Sequence, residues 1–143
     1  MIERMVTSPA IDLLTRTLNF TEQRHEVLVG NIANVDTPGY VQRDVSVSEF
    51  QAAMQKAIEK QRASFNEAGE PESTDTVAFE SGGTGVQLQP RNEAVSAAYH
   101  DRGVRSVETM MTQLADNAQA HNMVASLLKT RFNWLQQAIS MKA

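Results

Sequence analysis

Apolar residues in the first part of the chain recur with helical spacing. Ile11, Leu14, Leu18, Thr21, His25, Leu28, Ile32 and Val35 step alternately by three and four, which lays them along one face of a helix. Ser8-Pro9 supplies a start, with Ser at the N-cap and Pro at the first helical position. Thr37-Pro38 supplies the stop, because the residue before a proline avoids the α region. The spacing predicts an N-terminal helix within residues 1–36. Pro38-Gly39 suits the centre of a type II turn, whose second central residue needs φ > 0. A second helix is predicted from Ser46, where Ser46-Val47-Ser48-Glu49 has the capping-box spacing. Phe50, Met54, Ala57 and Ile58 form its stripe, and it fades near Arg62. Turn and middle helix together occupy residues 37–62.

The C-terminal stretch has the most sustained pattern. Val107, Met111, Leu114, Ala118, His121, Ala125, Leu128, Phe132, Leu135 and Ile139 step by four and three without a slip. Such spacing predicts a coiled-coil helix over residues 104–143. Val107 to Ile139 spans roughly 48 Å and the N-terminal helix roughly 40 Å, at 1.5 Å per residue. Two long helices at the chain ends are expected to pair antiparallel. Leu14, Leu18, Leu28 and Ile32 would then share a seam with Met111, Leu114, Leu128, Phe132, Leu135 and Ile139. The stretch Arg91–Gly103 leaves two solutions open: a helix capped early at Asn92, or a helix starting near Val104.

Residues 63–103 differ in kind. Between Ala63 and Pro90 lie Glu67, Glu70, Glu72, Asp75 and Glu80, with no Lys or Arg, among Gly69, Pro71, Gly82, Gly83 and Gly85. The composition predicts a solvated, flexible and variable insertion. It has room for a short hairpin pairing Val77–Phe79 with Val86–Leu88 through a turn at Ser81–Gly85. The expected fold class is all-α, one domain over residues 1–143. It comprises two long terminal helices in an antiparallel coiled coil, a shorter middle helix, and an irregular acidic, Gly-rich insertion with that small hairpin.

Both terminal helices carry a second apolar stripe. On the first it is Ala10, Leu13, Phe20 and Val27; on the last, Met110, Ala120, Val124, Leu127, Trp134 and Ala138. A helix pair hides one stripe per helix, so Phe20, Val27, Val124, Leu127 and Trp134 become a candidate intersubunit surface. The competing expectation is a three-helix bundle that keeps every stripe internal. Gly30, inside the first helix, either admits a second backbone or is tolerated near the helix end.

Composition narrows the chemistry. The 143 residues are 41% hydrophobic, enough for one cored domain, and contain no cysteine, which removes disulfides and thiolate sites. A net charge of −4 argues against a nucleic-acid partner. No run of 18 apolar residues occurs, so no transmembrane helix is expected to insert in lipid. Met1 to Phe20 has no apolar h-region, so no cleaved signal peptide is expected. His25, His100 and His121 form no His-Glu-x-x-His arrangement, and no Gly-x-Ser-x-Gly elbow exists. His25 and His121 fall on predicted seams and would lie near each other in an antiparallel pair, without a third metal ligand. Gly82-Gly83-Thr84-Gly85 lacks the Gly-Lys-Ser/Thr ending of a phosphate loop. The residues imply no cofactor, no metal and no enzyme.

The segment Gly30-Asn31-Ile32-Ala33-Asn34-Val35-Asp36-Thr37-Pro38-Gly39-Tyr40 resembles the signature of the bacterial flagellar basal-body rod protein family. Its Asp-Thr-Pro-Gly-Tyr continuation is similar to the proximal rod type. Leu114 to Ile139 is similar to the family's C-terminal helix, through Asn117, Leu127-Leu128, Arg131-Phe132 and Ala138-Ile139. The resemblance implies a structural subunit that polymerises helically through its terminal helices into the hollow, torque-transmitting shaft needed for motility. It implies a place in the periplasmic part of the basal body, reached through the flagellar type III export apparatus without a cleaved signal. The implied partners are other rod subunits, further copies of the chain, and membrane-ring and adaptor proteins at the rod base. The alternative class is a soluble helical adaptor or secretion chaperone. Within the motif, Asn31 and Asn34 are expected to satisfy carbonyls left open at the helix end or on a neighbour. Asp36 and Thr37 are expected to bond within the turn, and Tyr40 to offer a ring and a hydroxyl to an interface.

Overall fold

A computed structural model of the chain describes residues 9–63, 69–92 and 104–140. The expected cap Ser8, and Phe65, Glu67 and His100, lie outside the described residues. Helix α1 runs Pro9–Ala33, α2 Val47–Ala63 and α3 Val104–Ser140. Four short strands join them: β1 (Arg43–Asp44), β2 (Val77–Phe79), β3 (Val86–Leu88) and β4 (Arg91–Asn92). The fold is mostly helical, with two small antiparallel sheets where the pattern has room for one hairpin.

The β2–β3 hairpin forms where the alternation places it, pairing Val77 with Leu88 and Phe79 with Val86. The pairing of β1 with β4, Arg43 opposite Asn92 and Asp44 opposite Arg91, has no counterpart in the pattern. It uses Asn92 as a strand residue, and the run 93–103 that follows lies outside the described residues. Ser46 does cap α2: its Oγ accepts from the Glu49 amide at 3.2 Å. The Glu49 carboxylate turns to another donor, the Thr76 hydroxyl at 2.8 Å, and so ties α2 to the segment before β2.

Helix α1 is buried on two faces. One packs against α2 and the hairpin, where Phe20, Val45, Phe50, Met54, Val77 and Val86 form a core, with Leu13, Phe79 and Leu88 against it. Phe20 stacks on Phe50 at 4.0 Å between ring centroids. Phe20 therefore belongs to the interior and not to an intersubunit surface, because α2 and the hairpin together cover the second stripe of α1. The insertion expected to be solvated contributes two of these core residues, Val77 and Val86.

The other face of α1 packs along α3. Thr21 meets Asn117 and His121, while Ile11, earlier in α1, clusters with Val124 and Leu128, later in α3. The two helices are therefore antiparallel. Leu14, Leu18 and Leu135 pack against that cluster, and Leu28 is fully buried.

The register of α3 differs from the apolar pattern in one of its two columns. Leu114, His121, Leu128 and Leu135 face inward or half inward as expected. The second column is Met110, Asn117 and Val124, all buried, one residue before the expected Met111, Ala118 and Ala125. Met111, Phe132 and Ile139 are exposed, and Val124 is interior. The cause is Asn117. Its amide donates to the Thr21 carbonyl at 2.8 Å, so a polar residue occupies a buried seam position that an apolar count passes over.

This register separates adjacent methionines. Met110→Ala should cost about 2–5 kcal/mol, as for deletion of a buried Met side chain. Met111→Ala should stay within about 0.5 kcal/mol. Urea denaturation of both variants checks this; the reverse order would restore the seam through Met111.

Candidate functional site

The end of α1 is built by two asparagines with different tasks. Asn34 closes the helix: its backbone amide and its side-chain Nδ2 both donate to the Gly30 carbonyl, the latter at 2.8 Å. That satisfies a helix-end carbonyl as expected. The chain then turns through Thr37–Tyr40. The Tyr40 amide donates to the Thr37 carbonyl at 3.2 Å, and Gly39 has φ +80°. This is the type II turn that Pro38-Gly39 encodes.

Asn31 does something else. It is 3% exposed, and its side chain reaches across the turn to β1. Its Nδ2 donates to the Arg43 carbonyl at 2.6 Å, and its Oδ1 accepts from the Arg43 amide at 3.1 Å and the Tyr40 hydroxyl at 3.0 Å. The amide thus takes both backbone groups of Arg43, the pairing a neighbouring strand would offer. Tyr40 is half-buried, with its hydroxyl committed to Asn31. Two turns earlier Arg24 grips the same strand. Its Nε and Nη2 donate to the two Asp44 carboxylate oxygens at 3.0 and 2.7 Å, with both side chains largely buried.

The remaining motif residues sit outward. Ala33, Asp36, Thr37, Pro38 and Gly39 are exposed, and Ile32 and Val35 half-buried. Thr37 donates its hydroxyl to Asn34 Oδ1 at 3.4 Å. Nothing lies within 4 Å of a Cβ placed on Gly30, so close approach of a backbone within this chain does not explain that glycine.

Arg24, Asp44 and the side chains that hold the hairpin escape a search for apolar periodicity. Arg16, Asn19 and Gln23 donate to the Gly83, Thr84 and Val86 carbonyls, and Gln23 also accepts from the Leu88 amide. Their common signal is position: they share the α1 face that carries Leu13 and Phe20. Elsewhere, Lys60 at the end of α2 pairs with Glu72 and holds that carboxyl below its usual range.

His25 and His121 line one groove between α1 and α3, with Glu22, Glu26, Asn117 and Asn122. Thr21 donates its only hydroxyl proton to the Leu18 carbonyl at 2.8 Å, so it can only accept from His121 Nδ1 at 3.0 Å. Among the described residues no group of three His, Asp or Glu is placed to hold a metal ion.

The second candidate surface lies on α3. Met123, Leu127, Phe132, Trp134 and Ile139 are each about half exposed or more, and Arg131 lies 5.8 Å over the Trp134 ring. Of the candidate intersubunit residues, Leu127 and Trp134 are exposed, and Val27 is half-buried.

No family model matches the chain. Among curated relatives, the flagellar basal body rod protein FlgB of Salmonella typhimurium is 30% identical over 147 residues, covering 95% of this chain and 98% of that protein. The chain belongs to the FlgB family of flagellar basal body rod proteins. Local matches agree. The FlgB of Escherichia coli is 48% identical over 48 residues, and that of Aquifex aeolicus 51% identical over 35 residues. These two alignments span 35% and 28% of those relatives and 33% and 24% of this chain. Membership makes the chain a structural protein of the basal-body rod. No helix among the described residues is long and apolar enough to cross a membrane.

Asn31→Asp keeps the acceptor for Tyr40 but sets a carboxylate against the Arg43 carbonyl. It should cost about 1–3 kcal/mol, more than Asn34→Ala at about 1 kcal/mol. Thermal denaturation ranks the two, and equal losses would mean that Asn31 does not carry the turn.

Proposed function

We propose that this chain is a proximal rod subunit that polymerises helically, through its two terminal helices, into the hollow torque-transmitting shaft required for motility. The observation that carries the proposal is the outer face of α3. Leu127 and Trp134 lie one heptad apart, 49% and 62% exposed, next to an inner face already occupied by α1. A surface of large apolar side chains on an otherwise satisfied helix is a contact surface. In the shaft this face packs against terminal helices of neighbouring subunits as part of a coiled-coil layer. The exposed Asp36–Gly39 turn is a second contact, presented rigidly because Asn31 and Arg24 anchor the strand that follows it.

The partners are other rod subunits, copies of the same chain, and ring and adaptor proteins at the rod base. The chain reaches the periplasmic rod through the flagellar type III apparatus, with no cleaved signal. Peptide mass spectrometry of detergent-extracted basal bodies tests this. The chain should be enriched there, in a few copies beside the other rod subunits. Recovery only as a soluble cytoplasmic dimer would favour an adaptor or chaperone.

Trp134→Asp isolates the surface from the fold. Its melting temperature should match the wild type, because the ring is already in solvent. Basal-body incorporation and swimming should be lost. A variant that swims normally would remove this face from the assembly.

A further inference from the structure

Arg16 sits in the first half of α1 and is 6% exposed. Its Nη2 donates to the Gly83 carbonyl, and its guanidinium carbon lies 5.9 Å from the Phe79 ring centroid. Its Nη1 is buried with no hydrogen-bond partner among the described residues. The ion pairs among the described residues, Arg24–Asp44, Lys60–Glu72 and Arg91–Asp75, do not include it. A buried cation that meets only neutral acceptors is costly, and an apolar side chain of similar volume would fill the space at less cost. The fold of a single chain uses Nη2, on the Gly83 carbonyl, and leaves Nη1 unpaired among the described residues.

The roof over Arg16 is the turn Ser81–Gly85. Its attachments are polar: Arg16 holds the Gly83 carbonyl, Asn19 the Thr84 carbonyl at 3.1 Å, and Glu70 accepts from the Gly82 amide at 2.9 Å. Three of its five residues are glycine, so it buries no large side chain of its own; its other bonds, Ser81 Oγ to Glu70 at 3.3 Å and the Glu80 amide to the Gly85 carbonyl at 3.0 Å, are polar and exchangeable too.

We propose that Arg16, beneath this turn, is a receiving site for a carboxylate side chain of a neighbouring protein chain. The proposal rests on the rod reading above. Displacing the Gly83 carbonyl frees Nη2 beside the unpaired Nη1, the fork that a carboxylate matches with two parallel bonds. The source follows from the rim. Glu80 lies against Gly83 and Gly85, and Glu70 holds the outside of the turn, so a free anion from dilute solution is repelled. A carboxylate carried on a docked subunit is held at a high effective concentration and overcomes that repulsion.

Arg16→Met and Arg16→Lys, compared with wild type, test it by two readouts. Purified Arg16→Met should melt at or above the wild-type temperature. Its incorporation into basal bodies should fall at least about tenfold, the consequence of leaving a docked carboxylate unpaired. Arg16→Lys, which keeps the charge without the fork, should recover part of that loss. Normal incorporation of Arg16→Met overturns the proposal and leaves the rod reading standing. A lowered melting temperature with a matching loss of incorporation overturns it in favour of a purely structural arginine. Stabilisation of wild type but not Arg16→Met by inorganic phosphate, at constant ionic strength, would assign the site to a free anion instead. Absence of the wild-type chain from basal bodies overturns the rod reading, and the proposal with it.

Discussion

A single helix with two buried faces carries this molecule. An amphipathic helix has one apolar stripe to hide and one solvated face to spare. Helix α1 has little face to spare, because α3 lies along one side and α2 with the β2–β3 hairpin along the other. α2, α3, β1 and the hairpin are positioned by what they find on α1, and β4 by its pairing with β1. The helix does not meet this demand with apolar residues alone. Arg16, Thr21 and Asn31 are all at least nine-tenths buried, and each contributes a bond that specifies where a neighbour sits. Leucines in those places would cover area but leave sliding unopposed.

That division explains why some of the fold was legible and some was not. The three helices, the turn at Gly39 and the hairpin strands follow from periodicity and from proline and glycine chemistry, although α1 ends at Ala33, ahead of Thr37-Pro38. These are local properties, and a local reading recovers them. The errors fall where polar side chains are interior. Asn117 displaced one column of α3 by a residue, which moved Met111, Phe132 and Ile139 into an imagined seam and Val124 out of the real one. From the sequence Phe20 counts as surface, because nothing local reveals that the acidic, glycine-rich segment folds back to cover it.

The motif at the end of α1 shows the same limit. Its residues were identifiable from the resemblance, and the helix-closing role of Asn34 from its position. The grip of Asn31 on Arg43 was not identifiable, since it depends on a strand of two residues with no hydrophobic signature. Arg24 and Asp44 carry no signal beyond being charged. Their pairing emerges only when the turn brings β1 back beside the helix.

The contacts that close the turn differ sharply in reach from those that seat α3. Asn31 finds Tyr40 and Arg43 nine and twelve residues away, whereas Thr21 finds Asn117 and His121 across 96 and 100. Closing the longer loop costs roughly 2 kcal/mol more chain entropy. The short clamp also needs no residue beyond Asp44 to form, so a chain emerging N-terminus first can complete it before α3 exists. The motif is therefore the closure with the smaller entropy cost, and the seating of α3 is the one that needs nearly the whole chain in hand.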